Sequence, residues 1–183
     1  MKKFIAIILL FALIFSLAGC VNNEPISEAP TLNNIPAEKW LDFYDPDHEM
    51  PWSDTLELEL PEFPGVTFTW HWGGVTATDQ NGERALFGGM PVWNVYLADI
   101  TGNGLPDFVA TVSFGSGIVD TRVIVYDFAN DELYELSDRM VSDYALSMYN
   151  GNLIVIQTPW MSEKDGQEGG LAIIDGRLTM VSR

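Results

Sequence analysis

The chain has 183 residues, 26 acidic side chains against 9 basic ones and a formal net charge of −17. Hydrophobic residues make up 47% and charged residues 19%, enough apolar material for a core, so a fully disordered or collagen-like chain is excluded. The charge excludes nucleic acid as a partner and disfavours adsorption to anionic lipid head groups, and the single cysteine excludes an intramolecular disulfide and a multi-cysteine metal site.

Met1-Lys2-Lys3 is a short basic start, followed by an unbroken apolar run from Phe4 to Phe15 and then by Ser16-Leu17-Ala18-Gly19-Cys20. A basic start, a short apolar stretch and small residues at its end are the parts of a secretory signal peptide. A spanning helix needs about 20 apolar residues, and this run is shorter. Leu17-Ala18-Gly19-Cys20 resembles the lipobox of bacterial lipoproteins. That resemblance implies cleavage after Gly19 and lipidation of Cys20 with acyl chains such as palmitate, which places the protein at the cell membrane on its extracytoplasmic face. Two acyl chains give stable anchoring where one is marginal. The expected organisation is a signal peptide over 1–19, a lipid-anchored spacer over 20–36 and an extracytoplasmic β-rich domain over 37–183. The spacer reads as disordered because it is rich in proline and asparagine and has no apolar period.

Residues 37–44, between Pro36 and Pro46, read as one or two helical turns. Everything later reads as strand and turn. Residues 56–60 alternate with period two, and so do 66–72, with Phe68, Trp70 and Trp72 on one face and Thr67, Thr69 and His71 on the other. Trp93, Val95 and Leu97 form a third such face. Asn81-Gly82, Asn150-Gly151 and Asp175-Gly176 each separate two β-prone runs and mark tight hairpins. Residues 122–128 and 133–136 make another pair. About ten short strands joined by turns predict an all-β antiparallel meander of hairpins, in the form of a curved sheet, a sandwich or a partial barrel.

Asp99-Ile100-Thr101-Gly102-Asn103-Gly104-Leu105-Pro106-Asp107 carries side-chain oxygens at relative positions 1, 3, 5 and 9, glycine at 6 and a backbone carbonyl at 7. This is the layout of the first nine residues of a calcium loop, with Asp99, Thr101, Asn103, Leu105 and Asp107 as candidate ligands. Ala110 stands where an EF-hand has its bidentate glutamate, and the apolar residues after Pro106 announce a strand. The segment resembles the loops between strands of FG-GAP and related β-repeat proteins, with Thr101 in place of the usual asparagine and Asn103 in place of the usual aspartate, which leaves two carboxylates, Asp99 and Asp107. Two readings follow: a weak calcium site, or a turn closed by hydrogen bonds from its own side chains.

Met90-Pro91-Val92-Trp93-Asn94-Val95 before this loop, Ala110-Thr111-Val112-Ser113-Phe114-Gly115-Ser116-Gly117 after it, and then Val125-Tyr126-Asp127, Glu135-Leu136-Ser137-Asp138-Arg139 and Asp143-Tyr144-Ala145-Leu146-Ser147 resemble a module associated with the extracytoplasmic part of BlaR-type antirepressor sensor proteins. The resemblance spans 62–181. The chain lacks the His-Glu-x-x-His of the associated peptidases and the Ser-x-x-Lys of β-lactam sensors. The resemblance carries no activity over, and the reading is a binding or sensing module without catalytic activity, with an envelope protein or a glycan as partner.

Enzymatic readings are weaker. Ser113-Phe114-Gly115-Ser116-Gly117 has phenylalanine where a Gly-x-Ser-x-Gly elbow needs glycine. His71 has no acid or nucleophile at a telling spacing, and His48-Glu49 reads as part of a solvated turn. A glycan hydrolase working with paired carboxylates is the alternative function. Trp70, His71 and Trp72 are the candidate binding residues, since adjacent indoles offer a platform to a sugar or a peptide, against the plainer reading of Trp70 and Trp72 as core.

Overall fold

A computed structural model describes residues 35–44, 49–162 and 166–182; the expected signal peptide, Cys20, most of the expected spacer and His48 lie outside them. The described residues are all-β, in thirteen strands rather than about ten. Residues 37–44 are a correction. They form strand β1 (Glu38–Asp42), antiparallel to β6 (Val92–Ala98), not helical turns. Helix nucleation is unfavourable in so short a segment, whereas pairing with an existing strand satisfies the backbone at once and buries Leu41.

The remaining strands make three consecutive four-stranded meanders. The first is β2 (Leu56–Glu59), β3 (Thr67–His71), β4 (Gly74–Asp79) and β5 (Gly82–Gly88). The second is β6, β7 (Asp107–Phe114), β8 (Asp120–Asp127) and β9 (Glu132–Leu136), widened by β1 beside β6. The third is β10 (Ser142–Tyr149), β11 (Asn152–Pro159), β12 (Gln167–Ile174) and β13 (Arg177–Ser182). All pairings are antiparallel. The three expected hairpins form: Gly82 opens β5, and Asn150-Gly151 and Asp175-Gly176 take the paired positive φ angles of a tight hairpin turn.

The second sheet is the middle layer of a sandwich, and its strands are apolar on both faces. Phe108, Ala110, Val112, Ile124 and Tyr126 pack with Phe68, Trp70, Val75 and Phe87 of the first sheet. Val109, Val123, Val125 and Tyr96 pack with Tyr144, Leu146, Leu153 and Leu171 of the third. Such continuous apolar runs are what a strand covered on both sides requires. Each fully buried side chain of this size contributes about 1.5–3 kcal/mol before entropy is counted.

Because every strand reverses its neighbour, successive connections alternate between two ends of the sandwich. The chain enters at the proximal end, where Leu153 N donates to Ile35 O (3.0 Å), Ala37 N donates to Gly151 O (3.4 Å) and Pro36 bridges Asn152. Ile35 and Pro36 thus lie against the start of β11 in the third sheet. The proximal end also holds the 99–106 loop and the Asx-Gly turns. The distal end holds residues 43–44, 49–55, 72–73, 89–91, 115–119, 137–141, 160–162 and 166.

Candidate functional site

At the proximal end the 99–107 loop is closed by its own oxygens. Asp99 Oδ1 accepts from Gly102 N (2.7 Å) and Asn103 N (3.1 Å), and its Oδ2 accepts from Gly104 N (2.9 Å). Asp107 Oδ2 accepts from Ile100 N and Thr101 N (both 2.8 Å), and its Oδ1 from Thr101 Oγ1 (3.2 Å). Asn103 Oδ1 accepts from Leu105 N (2.8 Å), so every N–H from Ile100 to Leu105 donates to a side chain of the loop. Gly102 and Gly104 supply the positive φ angles that let the backbone curl around these oxygens. Asn103 Nδ2 then reaches Asp127 Oδ2 (3.0 Å), which also accepts from Asn130 Nδ2 (2.7 Å).

The oxygens that would have to converge on calcium are already directed at backbone N–H groups, and Leu105 offers a carbonyl from a turn held by Asn103. Among the described residues no group of three His, Cys, Asp or Glu side chains is disposed to hold a metal ion. These hydrogen bonds are those of a turn closed by its own side chains, and the melting series below tests calcium.

Asp107 is fully buried at the start of β7. Burial pushes its carboxyl up to about 6; the N–H groups of Thr101 and Ile100 oppose that rise, and the Asp127 charge adds to it. The folded-state value lies above the unfolded one, so the folded chain holds the extra proton between roughly pH 4 and 6 and loses stability as pH rises through that window. Lowering pH from 7 to 5 is expected to add about 1 kcal/mol through Asp107, a rise of roughly 2–4 °C in melting temperature that Asp107→Asn removes. In the same series, 2 mM calcium and excess chelator should give melting temperatures within about 1 °C of each other. A rise of several degrees with calcium would restore the metal reading.

The distal end holds the candidate binding residues, and the structure divides them. Trp70 is not available to a ligand: it is wholly buried, its Nε1 donates to Val92 O (3.3 Å) and its ring lies 5.2 Å from Phe43. Its strand position faces the middle sheet, so the plainer reading holds for it. His71 is exposed at the end of β3, where Nδ1 accepts from Gly73 N (3.1 Å) and shapes the turn. Trp72 is in the turn beyond β3, 39% exposed and edge-to-face with Trp52 at 5.8 Å. Trp52 was not singled out in the sequence because it sits in the 43–55 connection, where no periodicity marks it. Beside this pair, Trp72 O accepts from Val92 N (2.8 Å), Trp93 O accepts from Phe43 N (2.8 Å) and Tyr44 stands edge-to-face with Trp93 at 5.7 Å. Burial, and after it the Asp143 charge, raises the Tyr44 hydroxyl above its ordinary value. Ser113, of the discounted serine motif, is buried and held between Trp93 Nε1 (2.7 Å) and Thr121 Oγ1 (3.1 Å), so it is no exposed nucleophile.

Comparisons with known protein families, with curated proteins and with solved structures give no match. The functional reading therefore rests on the residues of this chain.

Proposed function

We propose that the protein is a lipid-anchored binding or sensing module of the bacterial cell envelope, held at the extracytoplasmic face through Cys20 and working without a catalytic step. The observation that carries the binding role is the exposed Trp52–Trp72 pair, at the end of the sandwich opposite the one where the chain enters. Exposed indoles clustered in connections beside a sheet are a familiar form of recognition surface, since they offer large contact area at little cost in side-chain entropy. The anchor rests on Leu17-Ala18-Gly19-Cys20, with Cys20 the only thiol in the chain. The carboxylate pair that a glycan hydrolase would need finds no support in Asp107 and Asp127, which are buried beneath the 99–107 loop and occupied by hydrogen bonds to it and to Asn130.

Metabolic labelling with a fatty acid is expected to mark the wild-type chain, and Cys20→Ser to abolish the label together with membrane retention. Labelling that persists in Cys20→Ser overturns the anchor.

A further inference from the structure

Twelve large hydrophobic side chains are exposed among the described residues, and all but Leu133, Tyr149 and Ile174 belong to the distal connections. Single exposed hydrophobics are ordinary, but their collection at one end is not. The patch draws on connections that belong to all three sheets. Trp52 meets Trp72 from the first sheet's turn, Trp72 O is bonded to Val92 N of the second, and Tyr44 stands edge-to-face with Trp93. Trp160 N donates to Val141 O (2.9 Å), so Val141, 58% exposed, meets the residue that precedes Met161, 84% exposed. Met90, 55% exposed, lies in the link between the first two sheets.

Charge narrows what this surface fits. Around the patch stand Glu49, Asp54, Asp138 and Asp143 against Arg139, within a chain of net charge −17. A second copy of the chain would bring two strongly negative bodies together, and an anionic lipid surface would be repelled. A sugar ring stacks on a flat aromatic face, whereas Met90 and Met161 offer flexible apolar volume, with Val141 adding apolar surface, of the kind that accommodates another polypeptide's side chains. We propose that the distal end is a docking surface for a basic polypeptide segment bearing apolar side chains, with Trp52 and Trp72 as its central anchors and the acidic residues as its rim.

This inference rests on the proposed binding role and specifies its partner. The test uses the full-length chain in phosphatidylcholine nanodiscs and a synthetic peptide of alternating lysine and leucine. Its controls are the same peptide with glutamate for lysine, and chitotetraose. The lysine peptide is expected to shift tryptophan emission and to bind more weakly as salt rises. Trp52→Ala with Trp72→Ala should weaken it at least about 10-fold. Met90→Gln with Val141→Gln, an independent pair, should weaken it by a smaller factor, while Leu133→Ala with Ile174→Ala should leave it unchanged. Equal affinity for the tryptophan variant means attraction to net charge alone and overturns the proposal. So does equal binding of the glutamate peptide, a preference for chitotetraose, or self-association that depends on Trp52 and Trp72. Loss of fatty-acid labelling at Cys20 would remove the anchor without touching this surface, so the two readings fail separately.

Discussion

Arg122→Met is expected to destabilise the protein by about 3–5 kcal/mol and to lower its melting temperature by roughly 10 °C. Arg122 stands in β8 with its guanidinium between three partners. Nη2 pairs with Asp120 Oδ2, Nη1 with Glu135 Oε1 at 2.7 Å, and the plane lies 4.6 Å from the centre of the Phe114 ring. Asp120 is 2% exposed, and its remaining oxygen, Oδ1, has no hydrogen-bond partner; neither has Arg122 Nε. These two atoms are the natural second leg of a forked Arg–carboxylate pair, so the ion pair carries its own incomplete half. Removing the arginine leaves a buried carboxylate with only Ser137 Oγ, at 3.5 Å, to approach it. Removing the acid instead leaves Arg122 with Glu135 and Phe114, so Asp120→Ala should cost less, about 1–2 kcal/mol. Asp120→Leu combined with Arg122→Met should lie within about 1 kcal/mol of wild type, because a well-packed apolar pair replaces a desolvated ionic one. Urea denaturation of the three variants gives the order. A double variant as unstable as Arg122→Met alone would show that the cost comes from packing around Phe114.

What the sequence made legible follows the physics of alternation. Period-two patterning found strands such as β2 and β3, and the Asx-Gly pairs found three hairpins, because both signals are local. β1 was read as helix because its real partner, β6, lies about fifty residues away and a five-residue strand has no signature of its own. Trp70 and Trp72 share one face in an ideal strand, but β3 ends at His71. One indole therefore goes to the core and the other to solvent. The spacing of oxygens in 99–107 could not separate a cation from six backbone N–H groups, since both ask for the same converging acceptors. The distal surface was hidden because its members come from connections spread from residue 44 to residue 161, and only the alternation of strand direction collects them.

Asn94 also escaped notice, as a polar residue inside Val92-Trp93-Asn94-Val95, and it carries the second large expected effect. The register between β6 and β7 shifts between Val92 and Asn94, a bulge at Trp93. Beside that shift Thr111 N donates to Asn94 Oδ1 at 2.9 Å. Asn94 Nδ2 then donates to Leu146 O at 3.4 Å, and Thr111 Oγ1 accepts from Leu146 N at 2.9 Å. Leu146 belongs to β10, the edge strand of the third sheet, which lies against β7 and β8 of the middle one. Both of its edge-facing backbone groups are thus satisfied by two fully buried side chains, Asn94 and Thr111. Buried backbone groups without partners each cost about 1–3 kcal/mol. Asn94→Leu orphans two of them, Thr111 N and Leu146 O, and should cost about 2–4 kcal/mol. Thr111→Val, nearly isosteric, orphans only Leu146 N and should cost about 1–2 kcal/mol while exposing that one amide to faster hydrogen exchange. The double variant should cost less than the sum, because the two side chains serve one peptide edge and each other. Strict additivity, or an Asn94→Leu protein as stable as wild type, would mean that the sheets are held by their apolar faces alone and that β10 satisfies its edge in some other way.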